Sequence, residues 1–198
     1  MTSSFAGHIA GIGTSSGTRI VVGMWDESPY GTFADVMIEQ PSGHRILVAP
    51  RQDVADFVAS TYAFDEIRIE PVSLERGAEW SLHTRSLQVR FTPGTRLWVS
   101  PLLALVPGPL RRTSWWARLC NPIARRLMPG VQTYGSAGGG RTEWYAATHV
   151  RRLTCARATW EGDELGELSP VTPPVRFGFA SSPAQPTLTA LTSYVREA

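Results

Sequence analysis

Short segments of alternating β-branched or aromatic residues, separated by Gly, Ser and Pro clusters, dominate the first quarter of the chain. Alternation with a period of two is typical of strands that bury one face. The connections between segments are short, so neighbouring strands are expected to pair antiparallel through tight turns. The segments lie at residues 8–12, 18–25, 32–39 and 45–48, with turns at 14–17 and 41–44.

The rest of the chain mixes further strand patterns with a few helical ones. Apolar residues recur at helical spacing between Val54 and Tyr62, which predicts a short amphipathic helix. Two short helices are expected within 98–128, with Thr113 and Asn121 as candidate N-caps. Further strands are predicted at 66–72, 79–83, 87–91, 144–160, 175–179 and 187–195. These patterns predict one α+β domain over residues 1–198, with a mainly antiparallel, barrel-like or cone-shaped sheet and a few short helices.

The basic residues are all of one kind. The 19 Lys and Arg positions are all arginine, so the N-terminus is the only primary amine in the chain. A lysine Schiff base, a lysine general base and a P-loop lysine are therefore excluded. The amino-acid sequence alone rules out the enzyme classes that depend on these groups.

The sequence predicts that disulfides, metal sites, cofactor-binding motifs and membrane-spanning helices are absent. Cys120 and Cys155 form no disulfide framework, which together with the lack of a signal-peptide pattern predicts a cytoplasmic protein with reduced thiols. The four histidines lack metal-ligand spacing, so no metal is predicted, and no cofactor fingerprint is complete. The most apolar run, residues 97–110, is too short and proline-rich for a spanning helix, and no nucleic-acid-binding module is recognisable.

Charge is distributed unevenly along the chain. Residues 80–142 contain nine arginines and no acidic residue, although the net charge of the whole chain is only +2. Within residues 97–128, arginines alternate with Trp, Leu and Ile, a combination that suits an anionic membrane surface or a partner subunit. The alternative is that these arginines pair with acids in the same fold or across a homo-oligomer interface, and the low net charge favours it. The candidate acids for such pairs are Asp53, Asp56, Glu70 and those in 161–167.

Two clusters combine aromatic and polar side chains, as small-molecule pockets do. They lie at residues 25–30 and 141–145. The stretch SPYGTFAD at 28–35 resembles the S-x-x-G-x-aromatic-x-acid motif of acetoacetate decarboxylase-like proteins. The resemblance implies a cone-like antiparallel barrel around a small-molecule pocket, with Asp35 at the position of a family active-site Glu. The family's reactive lysine is absent from this chain, so its Schiff-base decarboxylation is not implied.

These features lead to three hypotheses. The first is a small-molecule-binding domain whose ligand is a small carboxylate or an apolar acid held by Arg141. The second is a lysine-independent enzyme that uses Asp35 or Glu143 as general acid or base. The third is a peripheral membrane or protein-interaction module that uses residues 97–128. The candidate ligand-binding residues are Trp25, Tyr30, Asp35, Arg141, Glu143 and Trp144.

Overall fold

The computed structural model describes residues 1–179 and 182–197. In this part of the chain, strands greatly outnumber helices. The strands are β1 (Thr2–Thr14), β2 (Arg19–Glu27), β3 (Phe33–Glu39), β4 (Arg45–Ala49), β5 (Glu66–Ile69), β6 (Ser73–Glu75), β7 (Trp80–His83), β8 (Leu87–Arg96), β9 (Tyr134–Ser136), β10 (Thr142–Trp160), β11 (Asp163–Ser169) and β12 (Thr187–Arg196). The helices are α1 (Gln52–Thr61), α2 (Val99–Leu105), α3 (Gly108–Arg111) and α4 (Ser114–Leu127), with a 3₁₀ turn at Gly138–Gly140.

All strands belong to one mixed sheet. Its main path runs β5-β4-β3-β2-β1-β11-β10-β8-β7-β6, and β12 pairs with both β1 and β10. Only the β4–β5 pair is parallel within the described residues, because α1 crosses over between these two strands. The prediction of an α+β fold with a mainly antiparallel sheet is confirmed.

Side chains bring the two ends of the strand order together. Arg68 on β5 donates to Ser86 Oγ at 3.0 Å and to Glu161 at 2.6 Å. Glu70 accepts hydrogen bonds from the backbone N–H and the hydroxyl of Ser86 in the turn between β7 and β8. The sheet therefore curls into a partial ring of strands.

The curled sheet packs a separate apolar cluster against each face, because side chains alternate along every strand. On β2, Val22 joins the cluster enclosed by the ring, whereas Val21 points to the opposite face. The enclosed cluster also contains Val48 and Phe91, from strands near opposite ends of the sheet. The second cluster is covered by α1, and the candidate site lies on this side.

Three local predictions are wrong. Residues 175–179 are not a strand; this irregular segment places Phe177 in the second cluster. Residues 98–128 form three helices, and α4 continues through Pro122. Asn121 does not cap a helix, because its side-chain oxygen accepts the backbone N–H of Thr133 at 2.9 Å. None of the helices in the described ranges has the length and apolar character needed to cross a membrane.

Candidate functional site

A small cavity of about 50 Å³ lies between α1 and the sheet. Its walls are apolar and come from β1, β2, β3, α1 and β12, while a few polar side chains point into it. The polar residues are Trp25, Asp35, Thr61, Tyr62, Glu143, Tyr145, Ser182 and Ser193. No cationic side chain is among the described residues that line it. The cavity thus combines an apolar enclosure with two carboxyl groups.

Asp35 reaches this cavity from the middle of β3. Its side chain is buried, and the indole Nε1–H of Trp25 donates a hydrogen bond to Oδ1 at 3.0 Å. Burial raises the pKa of Asp35 from 3.8 to about 7, against the smaller opposing effect of the Trp25 hydrogen bond. Gly23 faces Asp35 across the β2–β3 pair, and a Cβ at Gly23 would lie 2.5 Å from Oδ1. The missing side chain of Gly23 therefore makes room for the Asp35 carboxyl group.

Glu143 reaches the same cavity from the start of β10. Tyr62 Oη donates to both carboxyl oxygens, at 2.9 and 2.8 Å, and Ser193 Oγ donates at 2.8 Å. Burial raises the pKa of Glu143 from 4.5 to about 7, although the hydrogen bonds from Tyr62, Ser193 and Tyr145 lower it. Burial also raises the pKa of Tyr62, and the neighbouring Glu143 adds to that effect. Near neutral pH, both carboxyl groups of the cavity can hold or release a proton.

A serine hydroxyl completes the polar lining. Ser182 Oγ is buried and has no hydrogen-bond partner among the described residues. The lack of a side chain at Gly11 leaves room for it, since a Cβ there would lie 1.8 Å from Ser182 Oγ. A buried hydroxyl without a partner costs stability, so such a group is better satisfied when a ligand or water binds beside it.

The structure brings together some of the predicted site residues and separates others. Trp25, Asp35 and Glu143 line the cavity. Tyr30 is not among the lining residues, but its ring stacks against that of Phe5, a lining residue, with ring centroids 6.3 Å apart. Three of the six candidate residues therefore lie around one cavity, and their role in ligand binding stays a prediction.

The other two predicted residues, Arg141 and Trp144, form hydrogen bonds elsewhere in the fold. The Arg141 guanidinium donates to Ser60 Oγ and to Thr61 Oγ1 at the end of α1, and it does not line the cavity. Trp144 points to the opposite face of β10 from Glu143, and its Nε1–H donates to the carbonyl of Arg112 at 3.0 Å. The assignment of Arg141 to a ligand carboxylate stays a prediction, and its guanidinium already has partners within the fold.

Sequence reasoning left several polar lining residues out of the candidate list. Tyr145 lies in the 141–145 cluster and follows Glu143 by two positions on the same strand, so alternation could have placed both on one face. Tyr62, Ser182 and Ser193 carry no such signal, because they reach the cavity only through the packing of α1 and the pairing of β12 with β10.

A larger apolar groove adjoins the cavity. It has a volume of about 270 Å³ and is lined mainly by aliphatic side chains of α2, α4, β10 and β12. Ile9 and Tyr145 line both the groove and the cavity, so they form a shared wall. The two spaces thus lie side by side, one lined by polar as well as apolar groups and the other almost wholly apolar.

Within residues 1–179 and 182–197, no three His, Cys, Asp or Glu side chains cluster as a metal site requires. Comparison of the chain with profiles of known protein families, with curated proteins and with solved structures returns no match.

Proposed function

We propose that this protein binds a small, largely apolar carboxylic acid, with the acid group in the cavity and the aliphatic part in the adjoining groove. The observation that carries the proposal is the burial of Asp35 and Glu143 in one apolar cavity, with the pKa of each raised to about 7. Two distant segments of the chain supply these groups, and the Ser182 hydroxyl, which has no hydrogen-bond partner in the described part of the chain, lies in the same cavity.

The protonation state of the carboxyl groups explains how such a site accepts an acid. A protonated carboxyl group has an O–H that donates a hydrogen bond to a ligand carboxylate, whereas an ionised one repels it. Because the pKa values of Asp35 and Glu143 lie near neutrality, the proton is available without a cationic residue. Binding of an anionic ligand is then coupled to retention or uptake of a proton.

In this proposal, the groove selects for ligands that have an aliphatic part. Its lining surface is nearly all apolar, and burying each CH₂ group of a ligand there contributes about 0.8 kcal/mol. In the proposed complex, the side chains of Ile9 and Tyr145, which border both spaces, contact the ligand where its head group joins its aliphatic part.

The acetoacetate decarboxylase-like resemblance is part of this proposal. The position that it assigns to a family active-site Glu is Asp35, which lines the cavity. Since the chain has no lysine, we propose a binding function or lysine-independent chemistry at this place. We also infer a cytoplasmic location, whose reducing conditions would maintain the free thiols of Cys120 and Cys155.

Calorimetric titration with octanoate tests the proposal. If one carboxyl group with a pKa of about 7 must be protonated in the complex, the affinity should be about tenfold higher near pH 6 than near pH 8. Glu143→Gln should remove most of this pH dependence, if Glu143 is that group, because the amide does not titrate. Native mass spectrometry of freshly purified protein should, in parallel, reveal a retained acid.

Arg141→Ala is the matched control. Its guanidinium lies outside the cavity, so the variant should bind octanoate within about twofold of the wild type if its fold is unchanged. Loss of binding in Arg141→Ala, with pH-independent affinity in the wild type, would favour the forked arginine contact and refute the role of the cavity. Absence of octanoate binding even at pH 6 would refute the ligand class.

A second candidate function is acid–base catalysis in the same cavity. It is favoured by the pKa values of about 7, since a general acid or base works best when its pKa is near the working pH. Incubation of the identified ligand with the protein in deuterated water tests it. Deuterium incorporation that disappears in Asp35→Asn or Glu143→Gln supports catalysis. A ligand that comes back unaltered supports binding without catalysis.

A further inference from the structure

One side of the helical segment exposes an unusual number of large apolar side chains. On α4, Trp115, Leu119, Ile123 and Leu127 follow one another at every fourth position and are 58%, 57%, 59% and 51% exposed. This spacing places them along one side of the helix. Trp98, at the start of α2, and Leu102 and Leu105 within it are also more than half exposed. We refer to these seven side chains as the α2–α4 face.

Exposed arginines lie on α4 beside this face, and the described residues provide no acidic partner for them. On α4, Arg118, Arg125 and Arg126 are exposed. None of the nine arginines in residues 80–142 takes part in an ion pair in the described part of the chain. Two of the acids expected to neutralise them have other partners: Asp53 pairs with Arg51, and Glu161 with Arg68. The predicted pairing within the fold is therefore not seen among these residues, and the positive charge remains available.

We propose that the α2–α4 face docks on an anionic lipid membrane, with Trp and Leu side chains in the interface and the arginines on lipid phosphates. A helix with an apolar side, an arginine-rich side and flanking tryptophan is the type that lies in the plane of a bilayer surface. Each arginine near an anionic leaflet adds to the binding, so α4 alone supplies a multivalent contact.

Charge and polarity favour a membrane over other occupants. A two-fold contact with a second copy would set this acid-free face against itself and bring arginines together. A nucleic acid would neutralise the arginines but offers no large apolar surface for Leu119 and Ile123. An anionic bilayer supplies both a negative surface and an apolar layer beneath it.

The apolar groove opens on the same face. Leu102, Ile123 and Leu127 line the groove and are each more than half exposed, which places them at its mouth. Docking would bring this mouth against the lipid, so that an apolar acid dissolved in the bilayer could enter the groove. This coupling rests on the proposed ligand function, whereas the docking itself does not depend on it.

Co-sedimentation of the full chain with phosphatidylcholine vesicles, with and without phosphatidylserine, tests the docking. Binding is expected only to the anionic vesicles. It should weaken strongly when salt is raised from about 0.1 M to about 1 M, because the Debye length falls from about 10 Å to about 3 Å. The double variant Trp115→Ser and Leu119→Ser should bind at least tenfold more weakly, and so should Arg118→Glu with Arg125→Glu.

Matched controls separate docking from general changes in polarity or charge. Ile67→Ser with Ile69→Ser removes two exposed apolar residues from β5, and Arg85→Glu with Arg90→Glu makes the same charge change outside α4. Both controls should retain most of the vesicle binding, and all variants should keep the wild-type circular dichroism and Tm.

Three results with vesicles would refute docking. They are no binding to anionic vesicles, equal binding to neutral and anionic vesicles, and a loss of binding in the controls as large as in the α4 variants. Docking is also refuted if light scattering shows a dimer that Trp115→Ser with Leu119→Ser dissociates. Octanoate binding without vesicles is unaffected by any of these outcomes, so failure of docking and failure of the ligand proposal remain distinguishable.

Discussion

Replacing Asp35 with Asn should change how the stability of the protein depends on pH. The folded state holds the proton of Asp35 up to about pH 7, whereas in the unfolded chain the carboxyl group titrates near 3.8. The folded state thus binds more protons than the unfolded chain between these two values. The free energy of unfolding therefore falls as the pH rises through this window, and the loss is complete above the folded-state pKa.

The magnitude follows from the pKa shift. Between about pH 5 and pH 8, roughly two pKa units of this window are crossed, and at 1.36 kcal/mol per unit ionisation of Asp35 costs about 3 kcal/mol. In Asp35→Asn this cost is absent, and the amide oxygen can still accept the Trp25 hydrogen bond. The stability advantage of the variant over the wild type should therefore be larger near pH 8 than near pH 5, by up to about 3 kcal/mol. Glu143 titrates in the same window and leaves a remaining pH dependence in the variant.

Urea unfolding followed by tryptophan fluorescence across this pH range measures the effect. Asp56→Asn is the control, because Asp56 is exposed on α1 and its replacement should change the free energy of unfolding little at any pH. If Asp35→Asn and the wild type lose the same free energy of unfolding between pH 5 and pH 8, Asp35 is not held unionised by burial, and it cannot be the group that donates a proton to a bound acid.

Two further substitutions test the packing around the site. Gly23→Ala would place a Cβ 2.5 Å from Asp35 Oδ1 and 2.8 Å from Trp25 Nε1, so we expect urea unfolding to show a loss of about 1–3 kcal/mol. A stability equal to that of the wild type would show that the carboxyl group has room to move. Trp144→Phe removes the hydrogen bond to the Arg112 carbonyl, which should cost about 1 kcal/mol and increase amide hydrogen exchange in α3 and α4 relative to β3. Exchange that rises equally in β3 would instead indicate general destabilisation.

The regular strands of the first quarter could be predicted because their signal is local. Alternation and turn residues identified β2, β3 and β4 nearly to their observed ends, since each follows from the period of the side chains and a nearby glycine. The expected segment 8–12 proved to be only the middle of β1, whose full length depends on pairing with β12 near the other end of the chain. Likewise, β6, β9 and β11 were missed, because short strands are stabilised by their neighbours more than by their own pattern.

The candidate site, like the strands, could be predicted from the sequence only in part. The sequence by itself determined that no lysine is present, and it pointed to Asp35 and Glu143 as candidate acid groups, two residues after Phe33 and directly before Trp144. Only the tertiary structure decided that these two carboxyl groups share one cavity, that Tyr62 and Ser193 donate to one of them, and that Arg141 has partners elsewhere. The physical reason is that the pKa of a carboxyl group is set by the solvent and the donors around it. Those surroundings arise only when β3 and β10, more than 100 residues apart, are joined through one curved sheet.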